Sequence, residues 1–219
     1  MDILVGDAEA VLISGATLSG RRRLFHRILH EWAARPLVVS TLQPADRVRA
    51  THERMLREGD AGNGDDAGDA SDAGDPEDRD GANDPLVVDC LTNALGRSAT
   101  DDDATKFAQH PSNLTSIGTK FTEFVDGCDS GELAVGLSSI SPLLMYASST
   151  DVYRFVHLLV QQSAGAESPV VATIDSAAHD ELDVERFVPL FDRTIEARRV
   201  GDEQEFRVSR PDSTEWWPL

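Results

Sequence analysis

A chain of 219 residues suits one domain, or one domain carrying an insert. Its 39 acidic against 20 basic residues leave a formal net charge of −19, which argues against nucleic acid as a direct ligand. No apolar run reaches the roughly 18 residues of a membrane span, and two isolated cysteines without C-x-x-C spacing point to neither a zinc site nor a redox motif.

The opening residues 1–7 lack a basic region of the kind that starts a signal peptide, so a cytoplasmic protein is expected. Residues 10–14 form an apolar run of strand length. They lead into Gly15, Ala16, Thr17, Leu18, Ser19 and Gly20, a loop opened and closed by glycines. Behind it, Leu24, Ile28, Leu29 and Trp32 recur at helical spacing. This is the outline of a P-loop, G-x-x-x-x-G-K-[ST], in its strand–loop–helix setting. The two last positions hold Arg21 and Arg22 instead. In a working P-loop, inward backbone N–H groups and a helix N-terminus cradle the phosphates, a lysine neutralises them, and a hydroxyl holds Mg²⁺. Arg21 retains the charge, but Arg22 has only donors and cannot ligate a metal. The bland alternative is an ordinary strand-to-helix turn that uses glycine for tight geometry.

Residues 37–41 read as a strand buried on both faces, apolar without alternation, as parallel sheets require. A helix follows from about Pro44 to Glu58. Residues 59–84 then hold ten acids and one arginine, a net −9, with six glycines and no apolar residue larger than alanine. Such a segment cannot bury enough surface to offset chain entropy, and the sequence predicts a disordered acidic insert. Its Asp-Gly spacing does not match an EF-hand loop. Residues 85–90 predict a third strand. A helix carrying Leu114, Ile117, Phe121, Phe124 and Val125 follows, with Ser112 or Asn113 as its cap. Residues 133–137 are a fourth strand. Thr150 or Asp151 caps the next helix, residues 169–175 are a fifth strand, and a helix is expected from Val184 to Phe191. Residues 194–199 and 205–209 alternate in polarity around Gly201-Asp202, the pattern of a β-hairpin. Alternating strands and helices make the chain an α/β fold with a mainly parallel sheet.

Three stretches carry a family resemblance: residues 13–20, residues 38–41, and Ser139-Ile-Ser-Pro-Leu-Leu-Met-Tyr146. Their order is similar to the RecA superfamily, in particular the KaiC/GvpD-type ATPase domains of archaea. The likeness spans nearly the whole chain outside the insert. Acid excess with only two lysines, Lys106 and Lys120, resembles proteins of salt-loving archaea, and the nearest likeness is to small haloarchaeal proteins. The resemblance implies a single RecA-like domain over residues 1–219, a three-layer sandwich with predicted strands ordered 3-2-4-5-1. The hairpin would extend the sheet beside strand 1, and a ligand would sit at the carboxyl ends of the strands.

Against that family the chain departs at four positions. The lysine and hydroxyl of the P-loop are Arg21 and Arg22. The Walker B aspartate corresponds to Ser138. The acid that positions attacking water falls on Leu42-Gln43. Phosphoryl transfer depends on such groups, so a degenerate, non-catalytic domain is expected. Asp89 and Asp175 are the nearby carboxylates, each read first as a polar strand end. The expected role is regulation through protein partners, with no cofactor required and no metal site. The alternative is a nucleotide-binding protein or slow ATPase. The loop keeps the means for weak, Mg²⁺-independent binding of ATP or phosphate, unless Arg21 folds inward, pairs with Asp89 or Asp175, and fills the site itself.

Weaker candidates are His26 and His30 at i, i+4, a pair lacking a visible third metal ligand, and His179-Asp-Glu181 after the fifth strand. Ser138, Ser139 and Ser141 lack the G-x-S-x-G elbow of a hydrolase. The tail Trp216-Trp217-Pro218-Leu219 either packs on the domain or serves as an exposed docking peptide. The insert yields a first prediction. Deleting residues 60–83 should leave the far-ultraviolet circular dichroism of the rest unchanged and lower the salt needed for stability. A sharply reduced melting temperature in high salt would contradict it.

Overall fold

The computed structural model describes residues 5–33, 35–60, 84–209 and 215–219. Most of the predicted insert, residues 61–83, lies outside the described residues, as do residues 210–214 of the tail region. Nine strands form one sheet: β1 (Ala10–Gly15), β2 (Arg35–Ser40), β3 (Leu86–Asp89), β4 (Thr105–Phe107), β5 (Leu133–Leu137), β6 (Val170–Asp175), β7 (Arg193–Val200), β8 (Glu203–Val208) and β9 (Trp217–Pro218). Their spatial order is β4-β3-β2-β5-β6-β1-β7-β8-β9. Strands β4 through β7 run parallel, while β8 and β9 are antiparallel to their neighbours. The order expected for the five central strands, and the hairpin beside the first, are therefore present. Edge strands β4 and β9 were not anticipated, being too short for any periodicity to register.

The apolar runs are buried because both faces of the sheet are covered. Along β1, Leu12 joins one core cluster while Val11 and Ile13 join the other, and β2 divides in the same way at Leu37, Val38 and Val39. Helices α1 (Arg21–Trp32) and α2 (Ala45–Asp60) cover the face of Val11. Helices α3 (Leu114–Val125), α4 (Ser141–Tyr146) and α5 (Ser149–Gly165) cover the opposite face, that of Leu12. Three layers result, as RecA-like folds require. Connections between parallel strands return every carboxyl end, and hence every following loop, to one edge.

Helix ends explain two departures from expectation. The Asn113 side chain does cap α3, accepting from the Ser116 N–H at 2.9 Å. The cap of α5 is Ser148, however, whose Oγ accepts from Asp151 N at 3.1 Å. Asp151 instead occupies the first turn, where a carboxylate suits the helix dipole. The helix expected from Val184 to Phe191 is also broken up. Helix α6 (Glu181–Glu185) stops early, and Val188–Leu190 forms a single 3-10 turn around Pro189, which lacks the N–H needed to continue an α-helix.

Helices α1 and α2 meet over buried histidines. His26 Nδ1 and His52 Nδ1 lie 3.0 Å apart in one hydrogen bond, and the His30 ring approaches His52 at 6.3 Å. The third histidine near His26 and His30 thus comes from α2, a proximity no local spacing foretells. Among the described residues, no group of three or more His, Cys, Asp or Glu is arranged to hold a metal. Burial, with the nearby His52, Arg22 and Arg54 charges, pushes the His26 pKa down to about 3. Burial and His30 push His52 down to about 4, with Asp84 opposing. The unfolded chain therefore takes up protons near pH 6.5 that the fold refuses until about pH 4 and below. Stability should fall as pH drops from 6.5 to 4, by on the order of 5 kcal/mol from the two histidines together. Urea midpoints of the His26→Leu, His52→Leu double variant should show a shallower decline over that window, and an unchanged slope would exclude the pair as its source.

Candidate functional site

At the carboxyl edge of the sheet, a cavity of about 590 Å³ opens above the glycine loop. Arg21, Arg22, Leu42, Ser138, Met145 and Asp175 are among the residues that line it. The loop leaves β1 at Gly15, turns through Leu18 with φ 69° and reaches α1 through Gly20 with φ 93°. Gly20 is the N-cap of α1 and supplies no side-chain oxygen, so the first-turn N–H groups are not capped by it. Gly15 is required by proximity. A Cβ there would lie 2.5 Å from the Ala197 carbonyl oxygen of β7 and 2.6 Å from Ser19 Oγ.

Arg21 does not extend into the cavity as a free cation. Its Nη1 donates to the Gly15 carbonyl at 2.8 Å, and its Nη2 meets Asp175 Oδ2 at the end of β6 at 2.9 Å. Thr17 Oγ1 donates to the same carboxylate oxygen at 2.8 Å, so one acid anchors both the loop and the start of α1. Burial lowers the Arg21 pKa against the opposing pull of Asp175, yet a guanidinium remains protonated at neutral pH. Burial alone would raise the Asp175 pKa. The Thr17 hydrogen bond, the Arg21 charge and the Ala177 N–H outweigh it and hold the carboxyl below its ordinary range. Arg22, by contrast, is exposed and has no ion-pair partner among the described residues.

The other expected positions separate in space and in role. Ser138 Oγ accepts from Thr41 N at 2.9 Å, and its carbonyl accepts from Thr173 Oγ1 at 2.6 Å, tying β2, β5 and β6 together. Thr41 Oγ1 donates to the Ser139 carbonyl at 2.7 Å, Ser139 Oγ accepts from Ser141 N at 3.3 Å, and Ser141 Oγ accepts from Asp175 N at 2.9 Å. The serines that sequence grouped together thus form a neutral lattice across the strand ends. Asp89 is fully buried and spent on structure, accepting from Ala45 N, Leu91 N, Thr92 N and Thr92 Oγ1. Leu42 is 42% exposed at the cavity mouth, where the family resemblance calls for an acid. His179 precedes α6, with Asp180 as the helix N-cap and Glu181 in its first turn. Cys90 is buried, Cys128 is half-buried, and both are free thiols.

Sequence reasoning missed the residues that hold the loop from outside. Gln204 Nε2 of β8 donates to the Leu18 carbonyl at 3.0 Å. Leu219 follows β9 and packs against Gly20. Both contacts span more than 180 residues of chain, so no spacing rule reports them.

The close contacts of Gly15 generate a test. Gly15→Ala should cost about 2–3 kcal/mol, because a backbone carbonyl of β7 has to move. Gly118→Ala, where nothing lies within 4 Å on α3, should be neutral or stabilising by up to about 1 kcal/mol. Chemical denaturation of the two variants compares them directly; equal midpoints would contradict the crowding at Gly15.

The fold has solved counterparts. An uncharacterised protein of Pyrococcus horikoshii, crystallised in complex with an unknown peptide, superposes with a TM-score of 0.59 at 11% identity, covering 95% of this chain and 88% of that one. A KaiC-like protein of the same archaeon superposes with a TM-score of 0.53 at 11% identity, covering 100% of this chain and 90% of that one. At such identity the likeness establishes a KaiC-like RecA fold and nothing of its chemistry. No curated protein matches the sequence. A family model, that of a family of unknown function designated DUF7504, matches residues 8–197, and the chain belongs to that family.

Proposed function

We propose that this protein is a non-catalytic RecA-like domain that regulates by binding protein partners in the cytoplasm, with no cofactor required and without direct contact to nucleic acid or membrane. The observation that carries the reading is the Arg21–Asp175 ion pair. It consumes the one cation standing in the P-loop lysine position, and it sets a carboxylate where γ-phosphate charge would have to be neutralised. No step of phosphoryl transfer is left with an electrostatic partner at Ser138 or at Leu42-Gln43. Among the described residues no helix is long and apolar enough to cross a membrane.

Partner binding has its own support. Leu18, Leu42 and Met145 line the cavity mouth while 67%, 42% and 75% exposed, and Tyr146 beside them is 55% exposed. Four large apolar side chains gathered at one edge of a chain with net charge −19 form the kind of patch that proteins reserve for contacts.

The second reading, a nucleotide-binding protein or slow ATPase, is favoured by the open cavity and the unpaired Arg22. We assign the loop a residual capacity at most: weak binding of phosphate-bearing anions through Arg22 and backbone N–H groups, independent of Mg²⁺.

One set of measurements separates the readings. In concentrated KCl the protein should release no phosphate from Mg-ATP above background, and Arg21→Lys with Arg22→Thr should not restore turnover. Calorimetry with pyrophosphate should give the same weak affinity with and without EDTA. Asp175→Asn, which frees Arg21 and removes a repelling charge, should tighten that affinity about tenfold, roughly 1.4 kcal/mol. Turnover by the native protein that Arg21→Ala abolishes would overturn the non-catalytic reading. Binding lost on adding EDTA would reveal a metal-dependent site.

A further inference from the structure

Residues 216–219 are built onto the outside of the glycine loop. Strand β9 adds to the free edge of β8 through two residue pairs, Glu205 with Pro218 and Phe206 with Trp217. In an extended segment, alternate side chains face opposite ways. Trp217 and Leu219 accordingly pack on the cluster under α1 and α2, the Trp217 ring lying 5.8 Å from that of Phe206. Trp216 faces the other way and is flanked by the guanidinium groups of Arg198, at 3.7 Å, and Arg207, at 4.9 Å from its ring centre.

Beyond β9 the segment touches the loop itself. A Cβ at Gly20 would stand 2.3 Å from Leu219 Cδ2, so the leucine rests on a surface that only glycine leaves clear. Leu219 N donates to the Gln204 carbonyl at 2.9 Å, and Gln204 Nε2 donates onward to the Leu18 carbonyl at 3.0 Å. Arg23 Nη1, on the first turn of α1, reaches back to the Leu219 carbonyl at 3.4 Å. The tail, β8, the loop and α1 therefore form one closed circuit of contacts.

We infer that residues 216–219 are a detachable intramolecular ligand that holds the glycine loop from outside, and that their docking groove accepts an extended peptide strand with an aromatic residue and an aliphatic residue two positions apart. A two-residue strand at a sheet edge opens at low cost. Its release leaves the outer edge of β8 at Glu205 and Phe206 open while the inner edge stays paired with β7, the surface that strand addition by a partner requires. The same release removes Leu219 from Gly20 and loosens the carboxyl edge where Leu18 stands exposed. Partner capture at β8 is thus coupled to the mobility of the loop. The inference is independent of what the loop binds, since no anion takes part in it.

Amide hydrogen exchange of the full chain, followed by NMR without nucleotide, tests it at Ser19 N and Leu24 N. These bond Ala16 O at 3.2 Å and Gly20 O at 3.1 Å. Leu219→Gly should speed exchange at both amides at least tenfold, with the β1 and β6 amides unchanged. A synthetic peptide of residues 215–219, added to that variant, should restore protection. Trp217→Ser should act in the same direction, and if it also loosens β1, Leu219→Gly decides, because it removes the side chain that meets the loop while leaving Trp217 and the β9 pairing in place. Exchange at Ser19 and Leu24 within twofold of the parent in Leu219→Gly, or no restoration by the peptide, overturns the proposal.

Discussion

The parallel strands of the sheet deliver their carboxyl ends to a single edge, and there the guanidinium of Arg21 joins the end of β1 to the end of β6 through Gly15 and Asp175. The remaining features of the edge follow from that bond. A lysine in the same position would present a compact ammonium to a ligand, whereas the planar fork of arginine reaches a carbonyl and a carboxylate at once. Thr17 shares the carboxylate, so the loop is bound to the same acid as the helix that follows it. The side chains of the pair are 14% and 13% exposed, shielded enough that either charge left alone would carry a desolvation cost. The pair therefore ties the loop to the end of β6 and engages the Arg21 guanidinium on two partners.

Around this ion pair the strand ends are joined by neutral groups. Here Ser138, Thr41, Thr173, Ser139 and Ser141 form hydrogen bonds with one another's backbones and side chains, with no charge to neutralise. The lattice makes this stretch of the edge a neutral surface. Exposed Leu18, Leu42, Met145 and Tyr146 supply that surface with apolar area.

The loop is also held from two sides that differ in strength. Inside, Arg21 and Asp175 engage through a charged, largely shielded pair between central elements of the sheet. Outside, Gln204 and Leu219 engage through neutral contacts at the last, two-residue strand. The central side is expected to open only with the domain, and the peripheral side well before it.

The sequence by itself determined the fold class and the presence of the hairpin, because strands buried on both faces leave uninterrupted apolar runs and helices leave their own period. The order of the five central strands and the hairpin's place beside β1 came only from the family resemblance. The sequence also located the glycine loop with Arg21 and Arg22 at its end, since a motif is a local pattern. Ser138 and Leu42-Gln43 were singled out only through the family resemblance. The sequence named Asp175 as one possible partner of Arg21 but had no means of choosing it over Asp89. The tertiary structure decided that point, by placing Asp175 at the end of β6 beside β1 and spending Asp89 on the amides of Ala45, Leu91 and Thr92. Only tertiary structure brought His52 to His26, Gln204 to Leu18 and Leu219 to Gly20. These contacts join residues far apart in the chain, and their energy depends on distances of a few ångströms that no periodicity encodes.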